Sequence, residues 1–155
     1  MTTLHLDKIQ EAYGPHLVLD GYECDPIRLA DLDRIYNFLN RTPDLIGMTK
    51  IMPPYFVRFD PSPRYPYAGV SGFVLIAESH ISIHTWPEKA YLNLDIFSCK
   101  DFDHHRAVAY ATEIFSIGRH EIQLLTRGLE FPRAIKPVAE YLLQERQAMT
   151  VGGKR

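Results

Sequence analysis

The pair Glu78-Ser79, with His84 five residues on and Cys99 twenty residues on, brings a hydroxyl, an imidazole and a thiol into one short stretch. Serine is a weak nucleophile. A set like this cuts the Glu78–Ser79 peptide only where the hydroxyl is held against the preceding carbonyl and donors await the developing oxyanion. Attack exchanges the amide for an ester. Loss of the Ser79 α-proton then expels the upstream acyl chain by β-elimination, and the dehydroalanine left behind hydrolyses to a pyruvoyl group and ammonia. Imidazole changes charge near neutral pH, which suits His84 to the α-proton step. A pyruvoyl ketone condenses with a substrate amine and takes up the electrons released as a carboxylate leaves, much as pyridoxal phosphate does. The resulting carbanion needs a proton. Thiols ordinarily keep theirs at neutral pH, so Cys99 is the expected donor.

The same residues leave plainer readings open. A Glu-Ser pair is a common turn, and a single histidine in an apolar strand is usually a hydrogen-bonded structural residue. Glu78, His80, Ser82 and His84 also offer nitrogen and oxygen ligands along one face of a continuous strand. A serine hydroxyl is a poor ligand, however, and no metal is expected. His104-His105, beside Asp101 and Asp103, reads as a solvated helix start.

The elements that must position these groups are legible in outline. His16 to Cys24 has strand composition. Asp25-Pro26 is a helix start, and Leu29, Leu32, Ile35, Tyr36 and Leu39 recur at helical spacing, which predicts a first helix ending near Asn40, before Pro43. Tyr55 to Phe59 reads as a strand, and Asp60 to Gly69, with three prolines, as a loop. Ser71 to Ala77 is apolar at both parities, as in a strand covered on both faces. Ile81 to Thr85 and Tyr91 to Phe97 follow, the latter placing Asn93, Asp95, Phe97 and Cys99 on one face. Asp103 caps a second helix with Ala107, Val108, Ala111, Ile114 and Phe115 as its buried stripe and Gly118 as its stop. His120 to Arg127 is a last strand, and a helix is expected from Pro137 to Gln147. This order predicts an α+β fold: a two-layer sandwich whose mainly antiparallel sheet carries helices on one face. One helix layer cannot cover both faces of that sheet, so association into a homodimer is expected.

The 155 residues fit a single domain, 1–155, large enough to bury roughly two thirds of its unfolded surface. A net charge of -2 and 23% charged residues advertise neither a nucleic-acid nor an anionic-membrane partner. The longest unbroken apolar run, Phe73 to Ala77, is far short of the roughly 20 residues that span a bilayer. Residues Met1 to Gly14 contain no apolar signal core, so a cytoplasmic location is expected. Cys24 and Cys99 are too few and too far apart for a disulfide framework or a C-x-x-C motif.

Three blocks carry a family likeness: Gly14-Pro15-His16-Leu17-Val18 through Tyr22-Glu23-Cys24-Asp25, Gly69-Val70-Ser71-Gly72 through Ala77-Glu78-Ser79-His80-Ile81-Ser82-Ile83-His84-Thr85-Trp86-Pro87-Glu88, and Asp95-Ile96-Phe97-Ser98-Cys99. The chain resembles the short prokaryotic S-adenosylmethionine decarboxylase proenzymes over a core of about 14–128. The resemblance implies self-cleavage between Glu78 and Ser79, Ser79 as precursor of a pyruvoyl cofactor, His84 as processing base and Cys99 as proton donor. It further implies that Ser71 assists processing and orients the site, that Glu88 holds the ribose hydroxyls and that Phe59 stacks on adenine. The implied assembly is a homodimer of processed protomers that share active sites, acting on a small-molecule substrate and making the aminopropyl donor for spermidine. Three features depart from the family pattern: the proline-rich insertion between Phe59 and Ser71, Lys100 in place of a usual glycine, and a C-terminal extension, 132–155, without counterpart. Some family members act on arginine or ornithine instead, which remains an alternative, as does an unprocessed, non-catalytic homologue serving as a binding or regulatory subunit.

Overall fold

The computed structural model describes residues 13–129, and Tyr13–Gly128 forms one compact unit. Strand β1 (Gly14–Tyr22) leads to helix α1 (Pro26–Ala30), where the Asp25 carboxylate accepts from the Ile27 amide at 2.9 Å. The single helix expected here is two. The chain breaks at Asp31 (φ -79, ψ 105), whose side chain accepts from the Arg34 amide at 3.0 Å and caps helix α2 (Leu32–Leu45). Leu29, Leu32 and Ile35 keep their spacing across the break, which is why periodicity does not reveal it. Helix α2 also runs through Pro43 rather than stopping at Asn40. A proline in the last turn removes one amide donor at little cost, and there Thr42 Oγ1 donates to the Phe38 carbonyl at 2.6 Å.

Strands β2 (Thr49–Lys50), β3 (Tyr55–Phe59), β4 (Gly69–Ala77) and β5 (Ser79–Trp86) follow, then a short 3-10 helix (Pro87–Lys89), β6 (Tyr91–Ser98), helix α3 (His104–Phe115) and β7 (Arg119–Arg127). Helix α3 starts on Asp103, as expected, but stops before Gly118. Ser116 takes the left-handed cap at φ 50, and the Ile117 amide returns to the Thr112 carbonyl at 3.1 Å. The two-residue β2 is too short to carry a sequence signal. The expected helix Pro137 to Gln147 and the extension 132–155 lie outside the described residues.

The seven strands form one sheet in the order β2-β4-β5-β6-β1-β7, with β3 also on β4 and every pairing antiparallel. One face is the core. Leu17 and Leu19, Val74 and Ile76, Ile81 and Ile83, and Leu92, Leu94 and Ile96 pack with Leu29, Ile35, Phe38, Leu39, Ala111 and Phe115 of the helices. Phe38 stacks on Tyr110 at 5.5 Å and meets Phe115 edge-on at 5.1 Å; burying each such side chain contributes about 1.5–3 kcal/mol. The buried Thr85 hydroxyl donates to the Leu29 carbonyl at 2.9 Å and accepts from the Val70 amide at 3.2 Å, which ties α1 to the sheet without an unpaired polar group. The chain is thus an α+β layer pair.

The opposite face carries no helix from the described residues. Phe73 and Leu75 of β4 remain 37% and 38% exposed there, so the strand that reads as covered on both sides is covered on one by the described residues.

Candidate active site

Antiparallel register decides which side chains share the open face. Direct partners in a ladder lie on the same side of the sheet. Val57 opposite Ser71, Ser71 opposite His84 and His84 opposite Asn93 therefore form one row across β3, β4, β5 and β6, and Phe59, opposite Gly69, lies on the same face one pair further along. Within the row His84 Nδ1 and Ser71 Oγ are 2.8 Å apart, a hydrogen bond that orients the imidazole. Next to Asn93, Tyr91 Oη donates to Asp20 Oδ1 at 2.6 Å, and Asn93 Nδ2 also donates to Asp20. Burial, reinforced by that bond to Asp20, pushes the Tyr91 phenol up to about 12. Glu88 sits just beyond β5 on the exposed 3-10 helix, at the same end of the sheet. A hollow of about 420 Å³ on this face is lined by Tyr55, Val57, Phe73 and Leu75 together with Ser71, His80, Ser82 and His84. Apolar walls with a few convergent polar groups are the usual make-up of a small-molecule site.

Ser79 lies at the other end of β5. It pairs with Ile76 of β4 and Ser98 of β6, and its φ is 126. Residues with a Cβ rarely adopt that region, and holding one there costs on the order of 1–3 kcal/mol. The strain falls on the residue that supplies the nitrogen of the Glu78–Ser79 peptide. Cys99, one residue past β6, brackets Glu78: its amide donates to the Glu78 carbonyl at 3.4 Å, and its Sγ accepts from the Glu78 amide at 3.4 Å. The amide is thus aimed at the oxygen on which negative charge would develop. Gly14 allows this approach, because a Cβ there would collide with the Ser98 carbonyl and stand 3.0 Å from Cys99 Cα. Nearby, His16 Nε2 and Asp95 Oδ1 are 3.2 Å apart, and His80 is held below the usual histidine range by burial first and then by the charge of His16.

The structure therefore gathers the sequence-derived residues into two groups. Glu78, Ser79 and Cys99 meet at one end of β5; Ser71, His84, Phe59 and Glu88 gather at the other. Five residues of extended strand separate Ser79 from His84, roughly 16 Å at about 3.3 Å per residue, too far for direct proton transfer within one chain. Sequence reasoning passed over Tyr13, whose hydroxyl donates to Glu78 Oε2 at 2.8 Å. A contact spanning 65 residues leaves no local spacing to find it by. Among the described residues no group of three or more His, Cys, Asp or Glu is arranged to hold a metal ion, and no helix is long and apolar enough to cross a membrane.

Comparison with known proteins places this geometry. The family model for S-adenosylmethionine decarboxylase matches residues 15–128. The S-adenosylmethionine decarboxylase proenzyme of Pyrococcus furiosus is 37% identical over 121 residues, 77% of this chain and 82% of that one. The proenzyme of the same name from Clostridium botulinum is 40% identical over 116 residues, 74% of this chain and 94% of that one. The crystal structure of the adenosylmethionine decarboxylase from Aquifex aeolicus superposes with a TM-score of 0.65 at 31% identity, covering 76% of this chain and 92% of that chain.

Proposed function

Because the chain belongs to the S-adenosylmethionine decarboxylase family, we propose that it cuts itself between Glu78 and Ser79, converts Ser79 into a pyruvoyl group and decarboxylates S-adenosylmethionine. The observation that carries this reading is Ser79 at φ 126, directly after a Glu78 carbonyl that accepts from the Cys99 amide, with Cys99 Sγ at the Glu78 amide. The residues present fit the group: a hydroxyl amino acid in a strained position, an amide facing the scissile carbonyl and a thiol at the same end. When formed, the ketone supplies the electron sink for loss of carbon dioxide. Cys99 then delivers the proton, while Phe59 and Glu88 hold the adenine and ribose ends. The product serves as aminopropyl donor for spermidine, and the same reading places the enzyme in the cytoplasm.

A homodimer completes the site. Ser71 and His84, hydrogen-bonded to each other but remote from Ser79 of their own chain, act on Ser79 of the partner subunit across the two open faces. The exposed Tyr55, Val57, Phe73 and Leu75 on that face support this reading. Co-expressing Ser79→Ala and His84→Ala chains tests it. Neither processes alone, whereas mixed dimers join one intact Ser79 end to one intact His84, so about a quarter of all chains should be cleaved, every one of them from the His84→Ala parent. No cleavage in the mixture refutes the shared site.

The loop between β3 and β4 favours a second substrate reading, a basic amino acid. It is exposed, turns through mutual backbone hydrogen bonds between Ser62 and Tyr65 at 2.7 and 3.0 Å, and lays the Tyr67 ring under Lys89 Nζ at 4.2 Å, next to Glu88. Released carbon dioxide, measured separately with S-adenosylmethionine, arginine and ornithine on processed protein, distinguishes the two. Turnover of S-adenosylmethionine is expected; activity confined to an amino acid overturns that assignment.

A further inference from the structure

Tyr13 reaches the scissile peptide from outside the elements that carry the family motifs. Its backbone amide is fixed to the Arg127 and Gly128 carbonyls at 2.9 and 3.1 Å, and its ring lies 5.4 Å from that of Phe97. The phenol donates to Glu78 Oε2 at 2.8 Å and also interacts with the Ser79 hydroxyl, so one side chain touches the residues on both sides of the peptide. Burial and the neighbouring Glu78 carboxylate raise its pKa above the usual tyrosine range, so at neutral pH the phenol is protonated. A neutral phenol has one hydrogen to give and lone pairs with which to accept. Here the hydrogen goes to Glu78, and the oxygen is left to accept from Ser79.

We propose that Tyr13 is a positioning residue for self-cleavage, anchoring the Glu78 side chain and turning the Ser79 O–H toward the phenol so that an oxygen lone pair faces the Glu78 carbonyl carbon. The inference rests on the self-cleavage reading above. In the step it assists, the Ser79 Oγ–carbonyl carbon bond forms, the carbonyl carbon–nitrogen bond breaks, and the Oγ proton ends on the freed amine. Tyr13 supplies orientation and keeps its own proton.

The test follows fragment appearance by intact mass in freshly made full-length chains of wild type, Tyr13→Phe and His84→Ala, with and without hydroxylamine, which cleaves accumulated ester. Tyr13→Phe keeps the ring on Phe97, so an unchanged melting temperature and cleavage slowed about tenfold are expected, a loss of about 1.4 kcal/mol. Hydroxylamine should release fragments from His84→Ala but not restore cleavage to Tyr13→Phe, because the first step is the one slowed. Cleavage of Tyr13→Phe at the wild-type rate, or its rescue by hydroxylamine, overturns the proposal. If Tyr13→Phe melts lower, Glu78→Leu, which removes the phenol's acceptor and spares the ring, must cleave slowly too; a wild-type rate there also overturns it. Failure of wild type itself to cleave refutes the parent reading instead.

Discussion

Ser79→Ala is expected to remain one 155-residue chain, to fold, and to release carbon dioxide from S-adenosylmethionine only at the uncatalysed rate. Alanine carries the same Cβ into the φ of 126, so the ladder pairs to Ile76 and Ser98 and the contacts of Glu78 persist while the nucleophile disappears. Removing a single acid–base group lowers a rate by about 10² to 10⁴; removing Ser79 also removes the source of the ketone, so the loss should exceed that range. Intact mass gives the cleavage state, and borohydride or a hydrazine reports the ketone. Fragments split before position 79 in this variant, or a hydride-reactive carbonyl in it, would show that the nucleophile or the cofactor lies elsewhere.

Cys99→Ala should separate processing from turnover. The Cys99 amide that faces the Glu78 carbonyl survives the substitution; only the weak acceptor contact from the Glu78 amide to Sγ is lost. Cleavage therefore continues, while decarboxylation falls by roughly 10² to 10⁴ for want of its general acid. Cys99→Ser retains an acceptor at the same place but holds its proton too tightly to donate it, so it should remain as slow as the alanine variant. Fragment yield by mass and carbon dioxide per ketone formed measure the two effects independently. Full turnover in Cys99→Ala would exclude the thiol from protonation.

The strands that carry these residues were readable because their alternation is tied to a single helix-covered face: Leu92, Leu94 and Ile96 point into the core while Asn93, Asp95 and Phe97 do not. The break at Asp31 was not, since a cap changes backbone angles without disturbing apolar spacing. At the site, Ser79, His84 and Cys99 announce themselves by residue type, but their proximity in sequence is misleading. His84 is close to Ser79 along the chain and remote from it in space because a strand advances about 3.3 Å per residue. Ser71, Phe59 and Glu88 gained a role only through the family likeness, and it is the hairpin register that sets Ser71 against His84. Tyr13 had neither a motif nor a spacing to mark it.

A cut after Glu78 would fall between two hydrogen-bonded neighbours, β4 and β5, and the strand order then dovetails the two products. The upstream piece contributes β1, which is wedged between β6 and β7 of the downstream piece, and the downstream β5 stays zipped to the upstream β4. Three ladders would clasp the fragments without a covalent link, so scission frees a new chain end while the body stays whole. Once denatured, the halves would have to find each other again by diffusion, which turns a unimolecular folding problem into a bimolecular one.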